Sequence, residues 1–276
     1  MEGNIITSVQ NARIKHVVAL QQKSSLRREE GLFVVEGQRE IEHCLEGGYE
    51  VTELYHLTGG QTLCEANLTQ GLTPREVSPQ VYEKMAYRGS TEGIIAVVKC
   101  KDHALSNLSP LTSYHSPLII VLESVEKPGN LGAILRSADA ANVDAVIVCD
   151  PLTDLYNPNL IRASIGAIFT VPTAVCTSQE CIAFLKERNI KILTAQLQDS
   201  YEYYDYDMRP ATAIVMGTES TGLTQQWREA ADAHIRIPML GRLDSLNVSV
   251  SAAILMYEAV RQRSISASDK HGLTRT

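Results

Sequence analysis

IPMLGRLDSLNVSVSAAILMYEAVRQR, residues 237–263, is the stretch whose reading decides the fold. It opens with a short apolar run, crosses a polar loop and enters a helix that is apolar on most sides. Val248, Val250, Ala252, Leu255 and Val260 leave this helix little polar surface, which predicts burial against a sheet or a second subunit. Asn247 or Ser245 can cap it by accepting from its first free N–H groups. Arg261 and Arg263 close it where cations suit the helix dipole. Ser245, Asn247 and Ser249 stand at spacing two, just where the chain enters its most hydrophobic helix. Polar groups crowded at a helix mouth need partners, and a bound ligand is one natural partner.

Working back from that stretch, apolar runs alternate with helical spacing as far as residue 117. Residues 117–125, PLIIVLESV, read as a nearly continuous apolar strand, as expected in a sheet covered on both faces. Further strands are predicted over 143–150, 171–175, 191–197, 212–217 and 234–239. Helices are predicted over 130–141, 159–168, 178–189 (capped by Ser178) and 224–231. The alternation implies a mostly parallel α/β domain. Before residue 101 the pattern is shorter, with strands at 31–37, 51–57 and 93–99 and helices at 11–21, 38–46 and 78–85. It implies a small α/β domain of its own, in which Ser78 and Pro79 form an N-cap and first-turn pair. Residues 101–116 read as a linker, dividing the chain into domains 1–108 and 109–276. Residues 264–276 are polar and expected to be loose.

Length, composition and charge set bounds on function. The chain has 276 residues, enough for one large or two ordinary domains, and its 44% hydrophobic content suffices for a real core. No apolar run reaches membrane-spanning length and no charged-then-apolar leader is visible, which argues against insertion and export. The six cysteines (Cys44, Cys64, Cys100, Cys149, Cys176 and Cys181) form no CxxC pair and have no histidine at zinc spacing. They read as reduced, mostly buried thiols of a cytoplasmic protein without a metal. A net charge of −7 does not announce a nucleic-acid binder, but local patches rather than totals steer phosphates. Residues 1–28 hold such a patch, with Arg13, Lys15, Lys23, Arg27 and Arg28 against Glu2. A solvated helix face is the plain alternative for that run.

Two more loops sit where strands end. In 126–140, EKPGNLGAILRSADA, Asn130 lies between Gly129 and Gly132 at a strand-to-helix turn, and Arg136 follows two turns into the helix. Helix N-termini attract anions, so a phosphate or carboxylate fits there. The GxxG spacing is neither a dinucleotide fingerprint nor a Walker loop. In 216–223, MGTESTGL, Glu219 lies between two glycines, where a carboxylate is commonly a turn residue.

The ordered trio NLGAILRSADA, MGTESTGL and IPMLGRLDSLNVSVSAAILMYEAV resembles the three motifs of the SpoU (TrmH) family of RNA ribose 2′-O-methyltransferases, in the SPOUT superfamily. The match spans the second half of the chain. Residues 33–45, FVVEGQREIEHCL, are similar to the entry of the family's substrate-binding module. The implied fold is a C-terminal α/β trefoil-knot methyltransferase domain preceded by a small α/β, ribosomal-protein-like substrate-binding domain. The resemblance implies that Asn130 and Arg136 are the first-motif pair, Glu219 the second-motif acid, and Ser245 and Asn247 the third-motif pair shaping the active site. It puts Gly217, Ile237 and Leu246 against the adenosine part of S-adenosylmethionine. It also implies a homodimer in which Arg136 works near the partner's cofactor, and an RNA substrate for which Arg13, Lys15, Arg27 and Arg28 are candidate contacts. Glu123 replaces an aspartate often seen in the family, and Ser251 an alanine.

Chemistry agrees with the resemblance at all points but one. Methyl transfer needs an oxygen nucleophile in line, with its proton leaving. Arginine is a poor general base, so Arg136 is read as gripping the adjacent phosphate and stabilising the developing oxyanion. Proton removal stays unassigned. Action on a 2′-hydroxyl excludes DNA, and no metal is required. The N-terminal domain favours large-subunit ribosomal RNA over transfer RNA by family analogy. Two rivals are a doubly wound nucleotide enzyme using Gly129–Gly132, which lacks the glycine pattern, and a non-catalytic RNA-binding protein of the same fold.

Overall fold

The structure, a computed structural model, describes residues 5–59, 71–87, 92–108, 116–218 and 221–269, with side chains through Ser264 in the last helix. The chain packs as two compact units, Met1–Asp102 with Asp154–Thr170, and His103–Thr153 with Val171–Thr276. Among the described residues no helix is long and apolar enough to cross a membrane.

The first unit is built on a four-stranded sheet of order β1 (Leu32–Glu36), β4 (Ile94–Lys99), β2 (Val51–Leu57), β3 (Arg75–Val77). Strand β4 runs antiparallel to both neighbours, whereas β2 and β3 are parallel. Helices α1 (Ala12–Gln22) and α4 (Pro79–Met85) bury Ile14, Val17, Leu20, Val81 and Met85 against Tyr55 and Ile95 of the sheet. Asn11 caps α1 by accepting from the Arg13 N–H, and Ser78 caps α4 by accepting from Val81, with Pro79 in the first turn. Helix α2 (Ser24–Glu30), SSLRREE, has a single apolar residue and so shows no helical period in the sequence. Its anchor is Arg27. That side chain is only 3% exposed, donates to the Leu20 and Gln21 carbonyls and pairs with Asp154 at 2.6 Å. This corrects the expectation that Arg27 faces RNA, because a buried guanidinium must be fully paired inside and has no face left for a phosphate.

Asp154 belongs to a segment that returns to this unit from the second half of the sequence. The single helix expected over 159–168 forms as α6 (Pro158–Ser164) and α7 (Ala167–Thr170), broken where Ile165 and Gly166 take φ of 54° and 83°. Phe169 and Tyr156 stack on Phe33 of β1, the latter at 4.2 Å between ring centroids. Tyr49 meets both rings edge-on. These aromatics are far apart in the chain, so no local periodicity exposes the cluster.

The second unit holds a seven-stranded, wholly parallel sheet of order β7 (Thr173–Cys176), β6 (Ala145–Cys149), β5 (Leu118–Glu123), β10 (Thr212–Met216), β8 (Lys191–Ala195), β11 (Ala233–Arg236), β9 (Tyr201–Glu202). Strands β5, β6 and β10 are buried along their whole length, as their continuous apolar runs require. Ile119, Val121 and Ile147 pack under α8 (Ser178–Glu187) and α9 (Gln225–Ala230). Helices α5 (Pro128–Ala140) and α10 (Val248–Asp269) pack on each other and against β6 and β10. Helix α8 starts at Ser178, so its cap is Thr177, one residue before the expected one. Thr177 and Glu180 form a reciprocal capping box, which frees the Ser178 hydroxyl to accept from Trp227 Nε1 at 3.0 Å.

Candidate active site

In an open parallel sheet, loops at the carboxyl ends of the strands form the ligand crevice. Here the ends of β8, β10 and β11 and the loop into α10 enclose a cleft of about 410 Å³, within the usual range for a small-molecule site. Gly217, Ile237 and Leu246, the three expected cofactor contacts, all line it, and so does Ser245. A smaller recess of about 110 Å³ shares Gly217, Thr218 and Val248 with the cleft and adds Lys127 and Asn130. Three loops, the outermost 117 residues apart at Asn130 and Asn247, thus converge on one place.

Asn130 and Asn247 join two of those loops directly, because Asn247 Nδ2 donates to Asn130 Oδ1 at 3.2 Å. Asn247 Oδ1 meanwhile accepts from the Ser249 N–H at 3.0 Å and from the Ser249 hydroxyl at 2.6 Å. Asn247 is therefore the cap of α10, and one amide both starts the helix and holds the first motif. Ser245 lies at 3.4 Å from the Asp244 carboxylate. Arg136 is exposed on α5 and lines neither the cleft nor the recess, and no hydrogen bond or ion pair ties it to a described residue. It lies six residues beyond Asn130, about 9 Å along the helix axis. Glu219 lies outside the described residues.

The loop after β10 is folded tightly on itself. Gly222 donates to the Thr218 carbonyl at 3.1 Å, and the Thr218 and Thr221 hydroxyls lie 2.8 Å apart. A Cβ on Gly217 would stand 2.4 Å from the Gly222 carbonyl group and 2.6 Å from Leu223 N, so only glycine fits there.

Three residues of the site escape sequence reasoning. Glu123, 2% exposed at the end of β5, accepts from Thr224 N at 2.8 Å and from the Thr224 hydroxyl at 2.6 Å. It thereby fixes the exit of the 216–223 loop, a role not apparent when it is read as a substituted aspartate. Gln196 Oε1 and Arg228 Nε both line the cleft walls by residue, and both atoms are buried without a partner among the described residues. Nothing in the sequence marks them, since a polar residue beyond a strand or on a short helix is ordinary.

The SpoU rRNA Methylase family profile matches residues 117–257, and an MRM3-like substrate binding domain profile matches residues 11–96. The chain belongs to the SpoU rRNA methylase family. The 23S rRNA (guanosine-2′-O-)-methyltransferase RlmB of Vibrio vulnificus is 36% identical over 196 residues, covering 70% of this chain and 79% of that protein. A crystal structure of an RNA 2′-O ribose methyltransferase superposes with a TM-score of 0.80 at 39% identity, covering 94% of this chain and 99% of that one. The AdoMet-bound rRNA methyltransferase of Sinorhizobium meliloti gives a TM-score of 0.85 at 26% identity, covering 94% and 97%.

For a SpoU methylase the cleft is a suitable home for S-adenosylmethionine. Gly217 lets the chain close against Gly222 at the cleft wall, and Ile237 and Leu246 offer apolar surface for a flat ring.

Proposed function

We propose that this SpoU methylase transfers a methyl group from S-adenosylmethionine to the 2′-hydroxyl of a guanosine in 23S ribosomal RNA. The observation that carries the reading is the Asn247–Asn130 hydrogen bond, which ties the first and third motif loops together beside a cofactor-sized cleft. S-adenosylmethionine supplies an electrophilic methyl group at that cleft. Gly217, Ile237 and Leu246 hold its adenosine part. Asn130, Ser245 and Asn247 orient the ribose, and Glu219 is the acid of the second motif. Arg136, with no partner among the described residues, grips the adjacent phosphate and stabilises negative charge as it grows on the ribose oxygen. A planar fork suits that task, since it can contact both oxygens at once.

The first unit serves for RNA binding and the second for catalysis, a division that departs from 1–108 and 109–276 chiefly because residues 154–170 pack with the first. Lys15 and Arg28, exposed on α1 and α2, contact phosphates, while Arg13 does so only by leaving Glu53, with which it pairs at 2.7 Å. The protein works in the cytoplasm as a homodimer built on α5 and α10. Val250 and Tyr257 of α10, 48% and 50% exposed, support that assembly. Incubating the full chain with labelled S-adenosylmethionine and separate pools of 23S, 16S and transfer RNA tests the reading. Label on 23S RNA, mapped to the 2′-oxygen of a guanosine, is the expected result. Label on transfer RNA alone would reassign the substrate, and label on a base would refute ribose chemistry.

A further inference from the structure

Three thiols meet at the carboxyl edge of the large sheet, away from the cleft's lining. The Sγ atoms of Cys149, Cys176 and Cys181 all lie within 4.8 Å of one another. Cys149 ends β6 and Cys176 ends β7, where the two residues are register partners on neighbouring parallel strands. Cys181 reaches the same point from the first turns of α8, whose start is held by the Thr177–Glu180 capping box. No spacing in the sequence announces this trio, because its members come from two strands and a helix rather than from one CxxC turn. All three positions lie on regular elements, so their convergence is fixed by the fold rather than by a loop.

The bland reading is that these thiols are small hydrophobes in the core beneath Trp227. Two observations go further. Cys149 and Cys181 are buried but Cys176 is partly exposed, so an ion can reach the trio from solvent. The nearby carboxylates are occupied: Asp150 Oδ2 accepts from Ser178 N at 3.1 Å and its hydroxyl at 2.6 Å, and Glu180 is held by Thr177 at 2.8 Å. The donor set offered is therefore sulfur alone, which selects soft ions over magnesium or calcium. A metal about 2.3 Å from each of three thiolates holds the sulfurs about 3.8 Å apart, a contraction small enough for side-chain rotation. Three ligands and an open side match either three-coordinate Cu(I) or Zn(II) with a solvent ligand.

We propose that Cys149, Cys176 and Cys181 form a three-thiolate site for a soft d10 metal ion, Zn(II) or Cu(I). Bound there, in exchange for the thiol protons, the ion staples β6, β7 and α8 together. It adds a stabilising and metal-sensing site to the methyltransferase and takes no part in methyl transfer.

The test uses the reduced full-length protein under anaerobic conditions, titrated with Zn(II), with Cu(I), and with Cd(II) as a spectroscopic probe. Expected are one ion per chain, a thiolate-to-metal charge-transfer band with Cd(II), and affinity at least about tenfold weaker in Cys176→Ser, since losing a ligand costs no less than losing an outer-shell partner. Cys44→Ser and Cys100→Ser, both in the first unit, are expected to bind as the parent does. Because Ser at the buried Cys149 or Cys181 can unfold the protein, alkylation of the unmodified chain provides the second measurement. Saturating metal should protect Cys149, Cys176 and Cys181 together, as read by peptide mass, and leave Cys44 and Cys100 unchanged. Undiminished binding in Cys176→Ser, protection of cysteines outside the trio, or no binding of any of the three ions would overturn the proposal. Preference for Zn(II) or for Cu(I) in the direct titrations identifies the ion.

Discussion

Arg136 and Gly217 show how differently two residues of one site respond to substitution. An arginine on a helix surface commonly serves an exposed ion pair worth about 0–1 kcal/mol, and its removal then changes little. Arg136 has no such pair among the described residues. Arg136→Ala is expected to fold, to bind S-adenosylmethionine and to lose about a hundredfold or more in single-turnover rate, the usual cost of a transition-state donor. Arg136→Lys should recover only a small part, because it keeps charge and loses the planar fork. A near-parental rate for Arg136→Ala on the true RNA would move the role elsewhere. Gly217→Val looks from the sequence like a change that blocks the cofactor and spares the fold. The 2.4 Å approach to Gly222 backbone corrects that expectation, since the valine must first break the 217–222 loop. Arg228→Gln is the cleaner probe of the cleft. Calorimetry should show S-adenosylmethionine binding weakened by about tenfold, matching one lost hydrogen bond to a charged group.

Helix α10 is the element that couples stability to the site at one end and closes the unit at the other. At its N-terminus Asn247 uses Oδ1 for the cap and Nδ2 for Asn130. Asn247→Asp keeps the acceptor and loses the donor. It should therefore retain the melting temperature of the parent while methylation falls, whereas Asn247→Ala should lose both, with about 1 kcal/mol from the cap. Equal activity for parent and Asn247→Asp would separate the Asn130 contact from function. At the other end Arg263 donates to the carbonyls of Ser116, Met208 and Pro210 at 2.6, 3.1 and 2.8 Å, clasping the chain ahead of β5 and β10. Gln262 adds a donor to Tyr206 and an acceptor for Met208 N. Arg263→Ala orphans those carbonyls, at about 1–3 kcal/mol in total. Differential scanning should record a fall of about 2–4 °C per kcal/mol in a domain of this size, with cofactor affinity preserved.

At the scale of the whole molecule, exposed apolar surface argues for assembly. Leu240 and Leu243, 97% and 79% exposed, flank the cleft, and Val250 and Tyr257 lie one turn-pair apart on α10. Large apolar side chains left exposed in this way suit a contact surface. Val250→Glu should convert a dimer to a monomer in sedimentation and reduce methylation while leaving the circular dichroism unchanged. A parent protein that sediments as an active monomer at micromolar concentration would remove the dimer from the reading.

The parallel sheet, its order of elements and the three motif loops are legible in the sequence because each depends on local pattern. Continuous apolar strands such as β5 follow from burial on both faces, and Ser78–Pro79 marks a helix start by its own chemistry. The positions of Gly217, Ile237 and Leu246 at one cleft were likewise readable, through the family's motifs rather than through spacing alone. Other features exist only in three dimensions. Arg27 looks like any basic surface residue until Asp154, 127 positions away, buries it in an ion pair. Glu123 becomes an anchor only when Thr224 arrives beside it, and Cys149, Cys176 and Cys181 become a cluster only when β6, β7 and α8 align. The physical reason is common to all of them. Periodicity records which face of an element leaves water, whereas a partner for a buried charge, carboxylate or thiol comes from whichever distant segment the fold lays against it.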